Sequence, residues 1–466
     1  MPVNASPSFG LQPSSYRQAI STNYISSANF NFANQYLPDL YEKEFERFGN
    51  RSITGFLRMV GAEMPCASDL IKWAEQGRLH TKYTSCTSAA AATSDTATWT
   101  VADAGITACN FRVGQTVFLS RNAAGTQSDK AIITAVSGLT FTVAYYAAGG
   151  QTIPVSTTST AFVYGSEFKK GANGMSGSLE AEDSFFDNSP IIIKDNYEVS
   201  GSDMAQIGWV EVTTENGATG YLWYIKSEHE TRLRFEDYME MAMVEGVPAE
   251  TASGAIAVTG DVGNKGTKGL FYTVEQRGNI WAGGNPSTLA DFDAIIQRLD
   301  KQGAIQENVL FLNRNFSFDI DDMLAAQNSY GAGGTSYGLF NNDEKMALTL
   351  GFSGFKRGYE FYKTDWKYLN DATLRGGING GEINGVLVPA GSTNVYDQVM
   401  GKNAKRPFLH VRYRASETEN RRYKTWITGS AGGAATSDLD AMKVSFLSER
   451  ALCTLGANNF FLFKTA

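Results

Sequence analysis

Short runs alternating polar with apolar residues fill the stretch from Thr84 to Ser166. Thr116-Val117-Phe118-Leu119, Ala131-Ile132-Ile133-Thr134 and Thr140-Phe141-Thr142-Val143 have strand length and strand composition. Ala124-Gly125 and Ser137-Gly138 punctuate them as turns. The pattern predicts a small all-β unit, a barrel or a sandwich. Only Asp95, Asp103, Arg112, Arg121, Asp129 and Lys130 are charged within it, whereas 19% of the whole chain is charged. So polar a Thr/Ser surface with so few charges suits a surface module better than a catalytic domain.

The flanks of this unit pattern as two arms of one long hairpin. The outgoing arm holds Leu70-Ile71-Lys72-Trp73 and Gly77-Arg78-Leu79. The returning arm holds Ile191-Ile192-Ile193, Tyr197-Glu198-Val199 and Ile207-Gly208-Trp209-Val210-Glu211-Val212. Their β-branched and aromatic content favours strand pairing.

Helical spacing takes over at about Gly220–Glu245, where Leu222, Ile225, His229, Leu233 and Met239 recur on one side. Glu228 with Arg232 and Glu230 with Arg234 are i,i+4 pairs with the acid first, the favourable order. Such a helix is about 40 Å long, a spine for a flat molecule. A second amphipathic helix is predicted at Thr288–Gln302 through Leu289, Phe292, Ile296 and Leu299. Buried strands are predicted at Asn308–Leu312 and Ile383–Pro389, and a loop at Ser329–Tyr337. The tail, Lys443–Phe463, patterns as a β pair. At the other end, residues 1–35 carry one charge, Arg17, and suit an extended arm. Leu37, Tyr41, Phe45 and Phe48 then share the face of a short helix that Pro38 and Asp39 start and Gly49 ends. No repeat of solenoid or propeller length is evident.

Composition narrows the function classes. The chain has 466 residues, enough for two to four domains, and its 42% hydrophobic and 12% aromatic content excludes global disorder. A net charge of −8 and a pI near 5.2 argue against a dedicated nucleic-acid binder. One segment departs from that balance. In Gly401–Lys424, Lys402, Lys405, Arg406, Arg412, Arg414, Arg421, Arg422 and Lys424 face only Glu417 and Glu419. It is expected to form an intersubunit or intrachain salt-bridge surface, or alternatively a phosphate-facing patch. Cys66, Cys86, Cys109 and Cys453 lack metal or redox spacing and are expected to be free thiols. No secretory leader or membrane span is expected.

A search for chemistry returns no constellation. His80, His229 and His410 are scattered, and His229 is expected to be a packing or interface residue. Gly351-Phe352-Ser353-Gly354 misses the nucleophile elbow by one position, and Gly263–Gly269 lacks P-loop spacing and is expected to form a turn. Asp319, Asp321 and Asp322 form an acidic cluster in which Asp319 is expected to cap a helix starting near Ile320. Glu180, Glu182, Asp183 and Asp187 form a second acidic run, expected to be a solvated or intersubunit edge. No catalytic residue, metal or cofactor is expected, and the chain is expected not to be an enzyme.

Three stretches carry a family resemblance. They are Asn29-Phe30-Asn31-Phe32-Ala33-Asn34-Gln35-Tyr36-Leu37-Pro38-Asp39-Leu40-Tyr41, Phe56-Leu57-Arg58-Met59-Val60-Gly61-Ala62-Glu63 and Trp73-Ala74-Glu75-Gln76-Gly77-Arg78-Leu79-His80. They resemble major capsid proteins of crAss-like tailed double-stranded DNA phages. The order of arm, hairpin, spine helix, mixed region and terminal strands also resembles the Hong Kong 97 type capsid fold. The resemblance implies an α+β fold with an all-β insertion in the extended loop. It implies an N-arm at 1–50, the extended loop at 51–83 and 167–215, and the insertion at 84–166. A P-domain with the spine helix is implied at 216–286, an A-domain at 287–400, and a C-terminal return at 401–466. It implies assembly with itself into hexamers and pentamers of an icosahedral virion shell, made in the host bacterial cytoplasm, that encloses DNA without reading its sequence. Portal, scaffolding, auxiliary or decoration proteins and head fibres are the further partners implied, with no membrane. Expected intersubunit contacts are Trp73, Arg78, Glu180, Glu182, Asp183 and Trp209, together with Arg412, Arg414, Arg421 and Arg422. No lysine–asparagine crosslinking pair can be matched.

Overall fold

The computed structural model describes residues 55–57, 63–88, 94–121, 127–150, 152–154, 157–180, 183–206, 212–213, 219–220, 223–250, 253, 264–328, 353–378, 383–397, 402–433 and 435–465. The expected N-terminal arm, the short helix after Pro38, residues 207–211 of the returning arm and the loop at 329–337 lie outside the described residues.

The first strands are β1 (Glu63–Cys66), β2 (Ile71–Gln76), β3 (Lys82–Ser88), β4 (Thr96–Val101), β5 (Gln115–Ser120), β6 (Ser128–Ser137), β7 (Thr140–Tyr145), β8 (Ser159–Ser166), β9 (Asp183–Asn188) and β10 (Ile191–Ser200). After α1 (Gly201–Met204) and the short pair β11 (Val212–Thr213) and β12 (Thr219–Gly220) comes the long helix α2 (Trp223–Glu245). A mixed region follows: α3 (Leu270–Arg277), β13 (Asn279–Trp281), α4 (Leu289–Gln302), β14 (Glu307–Leu312), α5 (Arg314–Asn328), β15 (Gly354–Arg357), β16 (Tyr359–Asp365), α6 (Lys367–Asn370) and β17 (Ile383–Pro389). The chain ends with β18 (Ser392–Asp397), β19 (Lys402–Pro407), β20 (Leu409–Arg414), β21 (Lys424–Gly429), β22 (Ala441–Thr454) and β23 (Phe461–Lys464). The protein is mixed α/β and mostly sheet.

Contacts divide the chain into two units: residues 1–51, 198–230 and 429–442, and residues 52–197, 231–428 and 443–466. In the first, Ser200 caps α1 by accepting from the Asp203 amide, and a turn closes through Ser430 N donating to Leu439 O at 3.0 Å. Gly429 in that turn has φ +129°, and a side chain there would collide with the Ala441 carbonyl.

The second unit is built around a six-stranded sheet of order β13-β23-β17-β14-β16-β15. Its central strands are buried on both faces, so apolar residues are continuous instead of alternating. All seven positions of β17 are buried. Alternate residues go to opposite layers, as the period of two demands. Leu310, Leu312, Leu387, Phe461 and Phe463 pack with Phe292, Leu299 and Phe316 of α4 and α5. Phe311, Val386, Val388 and Leu462 pack with Leu270 and Val274 of α3, Met243 of α2 and Phe56. Helix α4 starts in a capping box between Thr288 and Asp291 and ends at Gly303, φ +69°.

A second sheet has the order β1-β20-β22-β10, with β21 also pairing β22. The low-charge segment forms a closed barrel, β3-β4-β7-β6-β5-β8. Closure removes sheet edges. Trp99, Phe141, Val117, Leu119, Ile133 and Val143 fill its interior. The buried Trp99 Nε1 donates to Tyr145 Oη at 3.0 Å.

Two expectations are corrected. The tail is not a β pair: β22 runs unbroken for 14 residues beside β20, and β23 sits in the other sheet beside β13 and β17. Glu449 and Arg450 look like a break in the apolar pattern, but both are buried, paired with Arg421 and with Glu63 of β1, and the strand runs through them. Asp319 does not cap a helix. It lies inside α5, whose first turn is capped by Asn313 Oδ1 accepting from Phe316 N at 2.8 Å.

Candidate functional site

The outgoing arm pairs as a two-stranded ribbon with residues 183–188, whereas the returning strand expected at Ile191–Val199 lies beside β22 in the second sheet. β2 and β9 pair antiparallel from Ile71 opposite Asn188 to Gln76 opposite Asp183. A two-stranded ribbon is marginal alone, so its root must be held by something else. Glu75 Oε1 gathers three donors: Trp73 Nε1 at 2.9 Å, Arg277 Nη2 at 2.6 Å and Gly456 N at 3.1 Å. The Arg277 guanidinium also lies over the Phe186 ring. Asn188, 3% exposed, is fully used. Its Nδ2 donates to the carbonyls of Lys268 and Leu452, and its Oδ1 accepts from Lys268 N, Ser189 N and Thr267 Oγ1. Lys268 Nζ donates to the Asp187 carboxylate at 2.5 Å. The ribbon is therefore bolted to α3 and β22 at its root.

Its other side is uncovered among the described residues. Phe185 is 76% exposed and Leu79, just past the end of β2, is 77% exposed. β2 and β9 pair with no further strand among the described residues. Asp183, two residues from Phe185 on the same strand, and Glu180, ahead of the strand, are both exposed. Arg78 donates to the Lys301 carbonyl at the end of α4.

Where the ribbon meets the barrel there is a groove of about 1130 Å³. Arg78, Lys82 and Arg112 line it with Leu79, Phe162 and Phe168. Gly114 lets Phe168 take its place there. A Cβ on Gly114 would lie 2.5 Å from the Phe168 ring, and its φ of +89° already favours glycine.

The basic segment forms an ion-pair surface within the chain. Arg414 bonds Asp69, Arg421 Nη1 lies 2.9 Å from Glu449 and Arg422 bonds Glu63. Lys424 Nζ lies 2.8 Å from Glu419. Arg412 Nη1 donates to Pro65 O at 3.3 Å. Arg450 lies 3.5 Å from Glu63, and its burial lowers the guanidinium pKa. Apart from Glu419, the acids come from β1, β22 and the turn after β1, so their pairing with this segment is invisible to local sequence spacing. Burial raises the thiol pKa of all four cysteines.

The structure brings Trp73, Arg78 and Asp183 together on the ribbon and its outer end, with Glu180 three residues ahead of Asp183. Arg412, Arg414, Arg421 and Arg422 gather at a separate surface. Glu182, Trp209 and the side chains of Lys402, Lys405 and Arg406 lie outside the described residues. Sequence reasoning did not single out Glu75, Asn188, Arg277 or Phe185; their roles come from contacts across hundreds of positions. His410 is buried in β20, with Nδ1 3.3 Å from Pro407 O, whereas His229 is exposed and does not pack in its own chain's core. Among the described residues no three His, Cys, Asp or Glu side chains are grouped to hold a metal ion. Among them, too, no helix is long and apolar enough to cross a membrane.

No protein-family profile matches the chain, and no curated protein matches it. Solved structures do align along most of its length. A chain of Microbacterium phage Oxtober96 is 9% identical, with 93% of this chain and 98% of that one covered and a TM-score of 0.41. A chain of Gordonia phage Cozz is 11% identical, covering 97% and 98%, at 0.39. A chain from the capsid of a native GTA particle is 8% identical, covering 95% and 99%, at 0.37.

Proposed function

We propose that this chain is the major capsid protein of a tailed double-stranded DNA phage of the crAss-like type, assembling into the hexamers and pentamers of an icosahedral shell. The observation that carries this reading is the ribbon: fixed at its root by Glu75 and Asn188, it holds Phe185 and Leu79 out with nothing among the described residues to bury them. Burying such side chains gains about 1.5–3 kcal/mol each, and in an assembly a neighbouring subunit supplies the cover. The motifs at 29–41, 56–63 and 73–80 support the same reading through their resemblance to capsid subunits.

In this reading β2 and β9 belong to the extended loop, the barrel is its insertion, and α2 is the spine of the P-domain. The region from α4 to β17 is the A-domain at the capsomer centre. Trp73, Arg78, Glu180, Glu182, Asp183 and Trp209 face neighbouring subunits, as does the surface of Arg412, Arg414, Arg421 and Arg422. The acidic chain encloses its genome instead of gripping it. Portal, scaffolding and auxiliary proteins and head fibres complete the virion, without a membrane or an enzymatic role for this subunit. Electron microscopy of the purified chain, alone and with a co-expressed scaffolding protein, tests this: capsomers or closed shells are expected, and a monomer under every condition contradicts it.

A further inference from the structure

We propose that Asn173 is a site of spontaneous covalent modification, hydrolysed to an aspartyl or isoaspartyl residue with loss of ammonia. The chemistry needs an asparagine followed by a residue whose backbone nitrogen is unshielded, and glycine, with no Cβ, shields it least. Four Asn-Gly pairs occur in the chain: Asn173-Gly174, Asn216-Gly217, Asn379-Gly380 and Asn384-Gly385. The second and third lie outside the described residues. The other two stand in opposite environments. Asn173 lies between the barrel and the ribbon, in a stretch without strand or helix where residues 171–174 are all exposed. That stretch is pinned on either side. Ala172 N donates to Lys169 O at 3.1 Å, and Arg112 Nη1 donates to Gly177 O at 3.0 Å. Between the pins, among the described residues, neither the Asn173 side chain nor the Gly174 amide makes a hydrogen bond. A Cβ on Gly174 would meet nothing within 4 Å. Backbone with so few contacts rearranges at little cost in free energy, so the Gly174 nitrogen can swing onto the Asn173 side chain.

Asn384-Gly385 is the counterpart that the fold protects. Asn384 is buried in β17, where its Nδ2 donates to Thr465 Oγ1 at 3.0 Å and its Oδ1 accepts from Asn313 Nδ2 at 3.2 Å. Gly385 stands between Leu312 of β14 and Phe463 of β23, and a Cβ there would lie 2.8 Å from the Phe311 carbonyl oxygen. Close packing on both sides holds that dipeptide extended. At Asn173 the step balances as follows. The Gly174 nitrogen, deprotonated by hydroxide, bonds to Cγ of Asn173. The side-chain nitrogen takes a proton from water and leaves as ammonia, closing a succinimide ring. Water then opens the ring at either carbonyl. One water is consumed, one ammonia is released, and no electrons are transferred. Each event puts a carboxylate two residues before Met175, which lines the groove with Arg78, Lys82 and Arg112.

Peptide mapping by mass spectrometry tests this on the purified full chain held at mildly alkaline pH. The peptide containing Asn173 is expected to show the mass gain of an amide-to-acid change and to split into two chromatographic forms. It should do so manyfold faster than the peptide containing Asn384. In urea Asn384 is expected to catch up with Asn173, because unfolding removes its hold. Gly174→Ala has open space for its methyl group, so it is expected to keep the native circular dichroism and to slow conversion at 173 severalfold. An Asn173 that stays intact in the native chain overturns the proposal. So do equal native rates at 173 and 384, an Asn384 no faster in urea, or a Gly174→Ala chain that converts as fast as wild type.

Discussion

The guanidinium carbon of Arg277 lies 3.4 Å from the centroid of the Phe186 ring, while Arg277 Nη2 holds Glu75 at 2.6 Å. One side chain of α3 thus clamps both strands of the ribbon. Arg277→Ala is expected to release the ribbon root at a cost of about 1–3 kcal/mol. Hydrogen exchange should speed up at 71–76 and 183–188 and stay slow in β17. Arg277→Lys should recover only part of the protection, since an ammonium cannot lie flat on the ring. Unchanged exchange in Arg277→Ala would show that the clamp does not hold the ribbon.

Asn188 is the second bolt. Asn188→Ala removes a side chain that uses all its donors and acceptors, leaving the buried Leu452 carbonyl and Thr267 hydroxyl without it. A loss of about 2–4 kcal/mol in urea unfolding is expected. Asn188→Asp should cost a similar amount, because it loses the Nδ2 donors and buries a charge. A loss under about 0.5 kcal/mol, the range of ordinary surface changes, would contradict the role assigned to this residue.

Trp99 fills the barrel and donates to Tyr145. Trp99→Ala is expected to cost the barrel about 3–5 kcal/mol. Replacing residues 84–166 by a short Gly/Ser linker is expected to leave the remainder folded, because both ends of the insertion enter one hairpin. Circular dichroism and hydrogen exchange at α4 and β14 check this. Global unfolding of the linker variant would contradict the boundary.

Burial pushes the thiols of Cys86 and Cys453 up to about 12. Their unfolded value is about 8.5. A folded value raised above the unfolded one stabilises fully below the unfolded pKa and is lost as pH rises through the folded one. The protein should therefore lose stability on the alkaline side, from about pH 8.5 toward 12. At neutral pH a thiol reagent should label the native chain slowly. Labelling should accelerate together with the loss of tertiary circular dichroism as pH rises. Rapid labelling of Cys86 or Cys453 at neutral pH would contradict their burial.

Local periodicity made several elements legible. The helix expected at Thr288–Gln302 is α4, with Thr288 as its cap, and the spine helix differs from its expected start by three residues. The strand expected at Asn308–Leu312 begins one residue earlier. What could not be read was set by distant partners. Glu449 and Arg450 break the apolar pattern of the tail, yet Arg421 and Glu63 neutralise them and the strand runs through. Asp319 follows a helix-start pattern, but the helix had already begun at Arg314 under the Asn313 cap. The ribbon's bolts join positions such as Glu75 and Arg277, too far apart for any spacing rule. The basic segment was visible as a charge run, and its acids at Glu63, Asp69 and Glu449 were not.

In the proposed function the ribbon carries assembly into a shell. The most direct measurement is electron microscopy with analytical ultracentrifugation, over a range of concentrations, on the wild-type chain and on F185S, each alone and co-expressed with a scaffolding protein. Wild type is expected to form capsomer rings or closed shells, and F185S to need a higher concentration or to stop at the monomer. A wild-type chain that stays monomeric in every condition would contradict the account.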